Sequence, residues 1–120
     1  MPNSNFDHFL TGEQFALMLA NGARTAEGIE IDYRPVVKLF TPDASCTWLL
    51  TELDPQDPDI AFGLCDLGMG FPELGSVRLS ELNSLRGKRG LGVERDAHFI
   101  ADKTLSEYAH AARMVGKVEV

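Results

Sequence analysis

The sequence predicts an α+β fold in which an antiparallel β meander is flanked by an N-terminal and a C-terminal helix. Three observations lead to this prediction. A capping-box motif stands near each end of the chain, segments of strand composition follow one another between them, and turn sequences rather than long helices separate those segments. The 120 residues fit a single domain, 1–120, whose ends at 1–9 and 116–120 we expect to be mobile.

The first helix is predicted to begin at Gly12, because Thr11-Gly12-Glu13-Gln14 is a capping box. Its body, residues 13–20, is rich in large apolar side chains that can pack on a sheet. The pair Asn21-Gly22 follows, and such a pair suits the left-handed conformation in which many helices end. We therefore expect a short helix that ends near position 20.

Strands are predicted on either side of two turns. Residues 36–40 have the β-branched and aromatic content of a strand and stop at a Thr-Pro-Asp turn. Residues 46–53 and 60–67 flank Asp54-Pro55-Gln56-Asp57-Pro58-Asp59, whose prolines and aspartates suit a reversal of the chain. These two segments are therefore expected to form a hairpin.

Pairing across this hairpin follows if Leu53 faces Ile60. The opposed pairs would then be Leu50–Gly63, Leu49–Leu64 and Trp48–Cys65. The aromatic residues of this region are expected in the core rather than on a base-stacking surface, since the neighbouring carboxylates would repel a phosphate backbone. These aromatic residues are Phe40, Trp48, Phe62 and Phe71.

The last part of the chain is predicted to contain a short strand at 76–79, a helical turn at 80–85 and a final strand at 97–101. A basic, glycine-rich loop lies before the final strand. The motif Thr104-Leu105-Ser106-Glu107 is a second capping box, and it predicts a C-terminal helix that runs to about Val115.

The acidic residues are concentrated in one segment. Residues 39–77 contain seven carboxylates and no Lys or Arg. The chain has 18 acidic and 11 basic residues, so the other acids balance the bases and the net charge of −7 comes from this segment. A field of one sign attracts basic partners and repels nucleic acid. The residues expected to form an acidic binding face are Glu52, Asp54, Asp57, Asp59, Asp66 and Glu73.

The sequence predicts neither a cofactor nor a metal site. Asp54, Asp57 and Asp59 offer oxygen ligands, but the third and fifth positions of this segment are glutamine and proline, and no glycine follows at the sixth, as a calcium loop requires. Cys46 and Cys65 match no C-x-x-C spacing and are expected to be reduced. The chain has neither an apolar run of membrane length nor a basic signal-peptide start, so we expect a cytoplasmic protein away from membranes.

Glu94, Asp96 and His98 have the side chains that general acid–base chemistry uses. In an extended segment, Asp96 and His98 would point to the same side. No Gly-x-Ser-x-Gly motif accompanies them. They define an alternative to the acidic face, namely a small enzyme or ligand-binding domain.

Lys88, Arg89 and Arg95 lie in or beside the glycine-rich loop at 87–92 and suggest contact with phosphate or nucleic acid. The loop matches neither the Walker pattern nor the dinucleotide fingerprint. Nucleic-acid binding also conflicts with the net charge, so it is the least favoured of the three hypotheses.

Two stretches resemble an uncharacterised family of small single-domain proteins that is catalogued as a domain of unknown function. They are KLFTPDASCTWLLTELDPQDPDIAFGLCDLGMGFPELGSVRLSEL at 38–82 and G-x-x-G-L-x-x-E-R-D-x-H-F at 87–99. Members are typically carried by bacterial plasmids, phages and integrative elements, so the resemblance implies a cytoplasmic accessory protein of mobile DNA without established catalytic residues. The family usually has Pro-Leu in place of Lys88-Arg89, so the basic loop is not a shared feature.

Charge and resemblance together favour a non-enzymatic interaction protein. Its acidic face would dock on a basic or DNA-binding surface of a host factor, for example a restriction or CRISPR defence enzyme. Such docking would give the protein an anti-defence role. The alternative is the small enzyme or ligand-binding domain that uses Glu94, Asp96 and His98.

Overall fold

The computed structural model describes residues 8–120 and contains a five-stranded antiparallel sheet between helices. The elements in chain order are α1 (Gly12–Ala26), β1 (Val37–Phe40), β2 (Thr47–Asp54), β3 (Asp57–Asp66), β4 (Glu73–Arg78), α2 (Leu79–Ser84), β5 (Glu94–Arg95) and α3 (Leu105–Val115). The strand order is β4-β3-β2-β1-β5, so β1 to β4 form a meander and β5 pairs with the other edge of β1. The predicted α+β fold with terminal helices is confirmed.

Helix α1 begins at Gly12 behind the predicted capping box, but it ends later than predicted. The end predicted at Asn21-Gly22 is wrong, because both residues contact β2 from within the helix. The Asn21 amide donates a hydrogen bond to the Thr51 carbonyl at 2.9 Å. A Cβ on Gly22 would lie 1.7 Å from the Leu53 carbonyl oxygen, so the glycine allows the helix to lie close against the strand.

The β2–β3 hairpin has the predicted register along half of its length. The confirmed pairs are Trp48–Cys65, Leu49–Leu64 and Leu50–Gly63. The predicted pair of Leu53 with Ile60 is wrong, because the register shifts at Thr51 and Leu53 pairs with Ala61 instead. An extra residue of this kind bends a strand and increases its twist. The bulge therefore turns the end of the hairpin relative to the rest of the sheet.

Two apolar cores lie on opposite faces of the sheet. One contains Trp48, which is 1% exposed and packs with residues of α1 and α2. The other contains Leu49 and Leu64 beneath α3, with Phe62 at its margin. The prediction that Phe71 belongs to the core is wrong, since its side chain is 78% exposed.

The chain between α2 and α3 forms less strand than predicted. Strand β5 is Glu94–Arg95, and the strand predicted at 97–101 is wrong. Asp96 ends the strand, because its carboxylate accepts a hydrogen bond from the His98 amide at 2.9 Å and its carbonyl accepts one from the Phe99 amide at 3.3 Å. Asp96 and His98 therefore lie in a turn rather than in an extended segment.

Contacts to the body of the protein are made near both ends of the described chain. Residues 1–7 of the N-terminal end expected to be mobile lie outside the described residues, whereas Phe9 is buried. Beyond α3, the Val118 amide donates to the Asp66 carboxylate at 2.9 Å. The Lys38 ammonium donates to the Val120 carbonyl at 2.9 Å. These two bonds fix the C-terminal residues against the sheet.

Candidate interaction surface

The turn end of the β2–β3 hairpin brings together four of the predicted acidic residues. We call this set the acidic hairpin end; it consists of Glu52, Asp54, Asp57 and Asp59. Asp54 pairs directly with Asp57 across a two-residue turn, and its carboxylate accepts a hydrogen bond from the Gln56 amide at 2.8 Å. The turn chemistry of Asp and Pro therefore places carboxylates side by side at one end of the sheet.

Among residues 8–120, Arg78 is the cation that forms ion pairs with this end. Its guanidinium lies 3.1 Å from an Asp57 carboxylate oxygen and 3.4 Å from one of Asp59. Asp59 also accepts hydrogen bonds from the amide and hydroxyl of Ser80. Partial burial opposes the ionisation of Asp59, but the bonds from Ser80 and the Arg78 charge outweigh it and hold the pKa below the ordinary value. Two of the four carboxylates thus share one guanidinium, and negative charge predominates.

A cleft with two lobes lies beside the acidic hairpin end, between the last turns of α1, residues 28–32 and the hairpin. The lobes have volumes of about 370 and 670 Å³, and they share Thr25, Glu52 and Phe62. We call it the acidic cleft. Its apolar walls are formed by Ile29, Ile31, Ile60 and Phe62, and its carboxylates are Glu30, Asp32, Glu52 and Asp54. Of the residues that the structure describes, no Lys, Arg or His lines either lobe.

The carboxylates of the acidic cleft differ in their partners. Asp32 accepts hydrogen bonds from the hydroxyl and the amide of Ser106, at the start of α3, and the hydroxyl bond above all holds the pKa of Asp32 below its ordinary value. Glu52 is half-buried, and among residues 8–120 its carboxylate has neither a hydrogen bond nor an ion pair. The bonds from Ser106 therefore hold Asp32 in place in the wall of the cleft, whereas the carboxylate of Glu52 is available to contact a ligand.

Asp66 and Glu73, the other residues predicted for the acidic face, lie away from the hairpin end. Asp66 is 2% exposed and accepts hydrogen bonds from the Gly68 and Val118 amides, so it is part of the internal structure. Glu73 is exposed and pairs with Cys65 at the opposite end of the β3–β4 ladder. The structure therefore divides the predicted face, and four of its six residues remain together.

The basic loop binds a carboxylate of the protein itself. One Asp43 oxygen accepts hydrogen bonds from the amides of Arg89 and Leu91, at 2.7 and 3.4 Å. These are the backbone donors that a phosphate-binding loop would offer to its ligand. The side chains of Lys88 and Arg89 are exposed, whereas Arg95 is half-buried in β5. Internal use of the loop amides weighs against a phosphate site here.

Asp96 and His98 line an open hollow of about 340 Å³ together with Lys103 and Tyr108. The bond between the first two joins the Asp96 carboxylate to the His98 backbone amide and not to the imidazole. That bond, together with the Lys38 ammonium at 3.5 Å, holds the pKa of Asp96 below its ordinary value. Glu94 lines a different hollow, next to His8 and Arg86. The structure therefore brings together two of the three residues of the alternative site.

An exposed apolar patch was missed by the sequence analysis. The loop after β3 exposes Leu67, Met69 and Phe71, and the end of α3 exposes Met114 and Val115. These two segments meet, because a Cβ on Gly116 would lie 3.5 Å from the Gly70 carbonyl oxygen. The signal in the sequence was the alternation of glycine with large apolar residues at 67–71, which is typical of a loop rather than of a core strand.

Together these features define a class of protein: a small α+β protein with a five-stranded antiparallel sheet, an acidic cleft at one end and no group of three His, Cys, Asp or Glu residues within 8–120 placed to hold a metal ion. The chain belongs to the family DUF2958, described as proteins of unknown function, whose model matches residues 9–119. The predicted membership of a domain-of-unknown-function family is thus confirmed. Neither the curated proteins nor the solved structures gave a match. None of the helices within 8–120 has the length and apolar character of a membrane span.

Proposed function

We propose that this protein is a non-enzymatic interaction module that docks through the acidic cleft and the acidic hairpin end on a basic surface of a protein partner. The observation that supports this most is the lining of the cleft, which combines apolar walls with four carboxylates and, among the described residues, no cation. A cleft of one charge sign concentrates its field and favours partners of the opposite sign. The apolar walls would supply the area that binding also needs.

The partner in this proposal is a host factor with a basic, DNA-binding surface. Such a surface carries Lys and Arg to bind phosphates, so an acidic protein of matching shape can occupy it. The resemblance to proteins of plasmids, phages and integrative elements supports an anti-defence role, with a restriction or CRISPR enzyme as one example of the factor. Docking of this kind would take place in the cytoplasm. Direct binding to nucleic acid is disfavoured, because its phosphates have the charge of the cleft.

The hollow at Asp96 and His98 supports a second candidate, a small ligand-binding domain or enzyme. It has a carboxylate, an imidazole, the Lys103 ammonium and the Tyr108 hydroxyl around one space of about 340 Å³. Glu94 lines a different hollow, so it is not part of this candidate site. A ligand site of this type would be lost with a single residue, whereas a charged docking surface weakens only as several charges are removed.

The proposal is tested by affinity capture from nuclease-treated host lysate at low and moderate salt. The variant Glu30→Gln/Glu52→Gln/Asp54→Asn removes three charges from the acidic cleft, and Asn at 54 keeps an oxygen for the Gln56 amide. We expect the wild-type protein to retain a partner in a salt-sensitive manner, because exposed charges are screened by salt. The triple variant should retain about tenfold less, the equivalent of roughly 1.4 kcal/mol of binding free energy.

The matched control is Glu13→Gln/Glu73→Gln/Glu81→Gln, which changes the net charge equally at three exposed sites away from the cleft and from the hollow at His98. This control should retain the partner at the wild-type level. Equal losses in both variants would reduce the effect to net charge and contradict a defined docking site. If His98→Ala loses the partner and the triple variant of the cleft retains it, the hollow at Asp96 and His98 is favoured instead.

A further inference from the structure

We infer that the acidic cleft accepts an arginine side chain of the partner and that Glu52 is the carboxylate that receives the guanidinium. This inference rests on the proposed function, because it names the anchor by which the basic partner is held. Glu52 borders both lobes of the cleft and is half-buried, and within residues 8–120 its carboxylate has neither a hydrogen bond nor an ion pair. A partly buried carboxylate without a partner gains from a cation that reaches it, since part of its hydration is already lost.

The position of Phe62 favours arginine over other cations. Glu52 and Phe62 are directly opposite each other in the β2–β3 ladder, so both side chains are on the same face, with Cβ atoms about 5 Å apart. A guanidinium is planar, stacks on aromatic rings and binds a carboxylate with two parallel hydrogen bonds. It can therefore contact the Phe62 ring and the Glu52 carboxylate together, which the compact ammonium of lysine does less well.

The walls suit the rest of an arginine side chain. Ile29 and Ile31 line the larger lobe, and Ile60 and Phe62 line the smaller one. Arginine buries its methylene stem on apolar surface while its charged head finds a polar partner. The volumes, about 370 and 670 Å³, fall within the range of about 300–1,000 Å³ in which small ligands bind. Buried arginines are also frequent among the residues that dominate protein interfaces.

The test is a titration of the ¹⁵N-labelled protein with the amide of Nα-acetyl-arginine, followed in amide correlation spectra. We expect chemical-shift changes concentrated at residues 29–32, 52 and 62. The Glu52→Gln variant should bind this probe about tenfold more weakly, whereas Glu81→Gln, at an exposed site on α2, should bind as the wild type does. The corresponding citrulline amide, which is neutral and of similar shape, should produce no shifts at these residues. The spectra themselves report whether each variant is folded.

Three results would overturn the inference. They are unchanged affinity in Glu52→Gln, equal shifts with citrulline, or shifts confined to the exposed apolar patch or to the hollow at His98. If the triple variant of the cleft loses the partner but Glu52→Gln alone retains it, the proposed function is supported and the arginine anchor is rejected. The two failures are therefore distinguishable.

Discussion

Trp48→Ala is expected to lower the free energy of unfolding by about 3–5 kcal/mol, the range found when large aromatic side chains are removed from a core. The indole is 1% exposed and belongs to the cluster that includes Leu39, Met18 and Leu82. Truncation would remove the packing of the indole within this cluster and leave a cavity on that face of the sheet. Urea denaturation followed by circular dichroism measures the change directly.

The control for this prediction is Phe71→Ala. Phe71 is also aromatic and was placed in the core by the sequence analysis, but 78% of its surface is exposed. Its truncation should change the unfolding free energy by no more than about 0.5 kcal/mol. Comparable losses in the two variants would mean that Phe71 is buried in solution and would contradict the described position of the 67–71 loop.

Gly22→Ala is expected to cost about 1–3 kcal/mol or more, although alanine is the better helix former. The added Cβ would lie 1.7 Å from the Leu53 carbonyl oxygen, and that atom belongs to the backbone of a central strand. Either α1 must move away from the sheet or the bulged strand must shift. Gly22 also lines the smaller lobe of the acidic cleft, so the substitution would alter the candidate site as well as the stability.

Gly12→Ala provides the matched control in the same helix. A Cβ at Gly12 would have no atom within 4 Å, so the substitution meets no steric obstacle. It should leave the stability unchanged or raise it by up to about 1 kcal/mol. If thermal melts showed the two variants to be equally stable, the close contact between α1 and β2 would be disproved.

Much of the fold could be predicted because the signals are local. The capping boxes at Thr11 and Thr104 start α1 and α3, and the Asp-Pro sequence marks the turn of the β2–β3 hairpin. The bulge at Thr51 could not be predicted in the same way. Its carbonyl is bonded by Asn21, thirty residues away, and the local sequence contains no trace of that contact. The same bond explains why α1 passes the residues at which it was expected to end.

The candidate site was predicted in part. The charge imbalance of residues 39–77 pointed to Glu52, Asp54, Asp57 and Asp59, which the structure does bring together. The acidic cleft also needs Glu30 and Asp32 from outside that segment, and the bonds from Ser106 to Asp32 hold this wall in place. Charge counting could not reveal that arrangement, because it depends on contacts between residues far apart in the chain. Charge counting also could not reveal that Asp66 is buried and that its carboxylate accepts hydrogen bonds from the amides of Gly68 and Val118.

The most direct measurement is hydrogen–deuterium exchange on the protein with its captured partner, compared with the free protein. Residues 29–32 belong to no helix or strand, so most of their amides should exchange rapidly in the free protein and slowly beneath a bound partner. We predict that protection appears at 28–32 and 52–62, with little change at 97–103. Protection confined to 67–71 and the end of α3, or to the hollow at His98, would contradict docking through the acidic cleft.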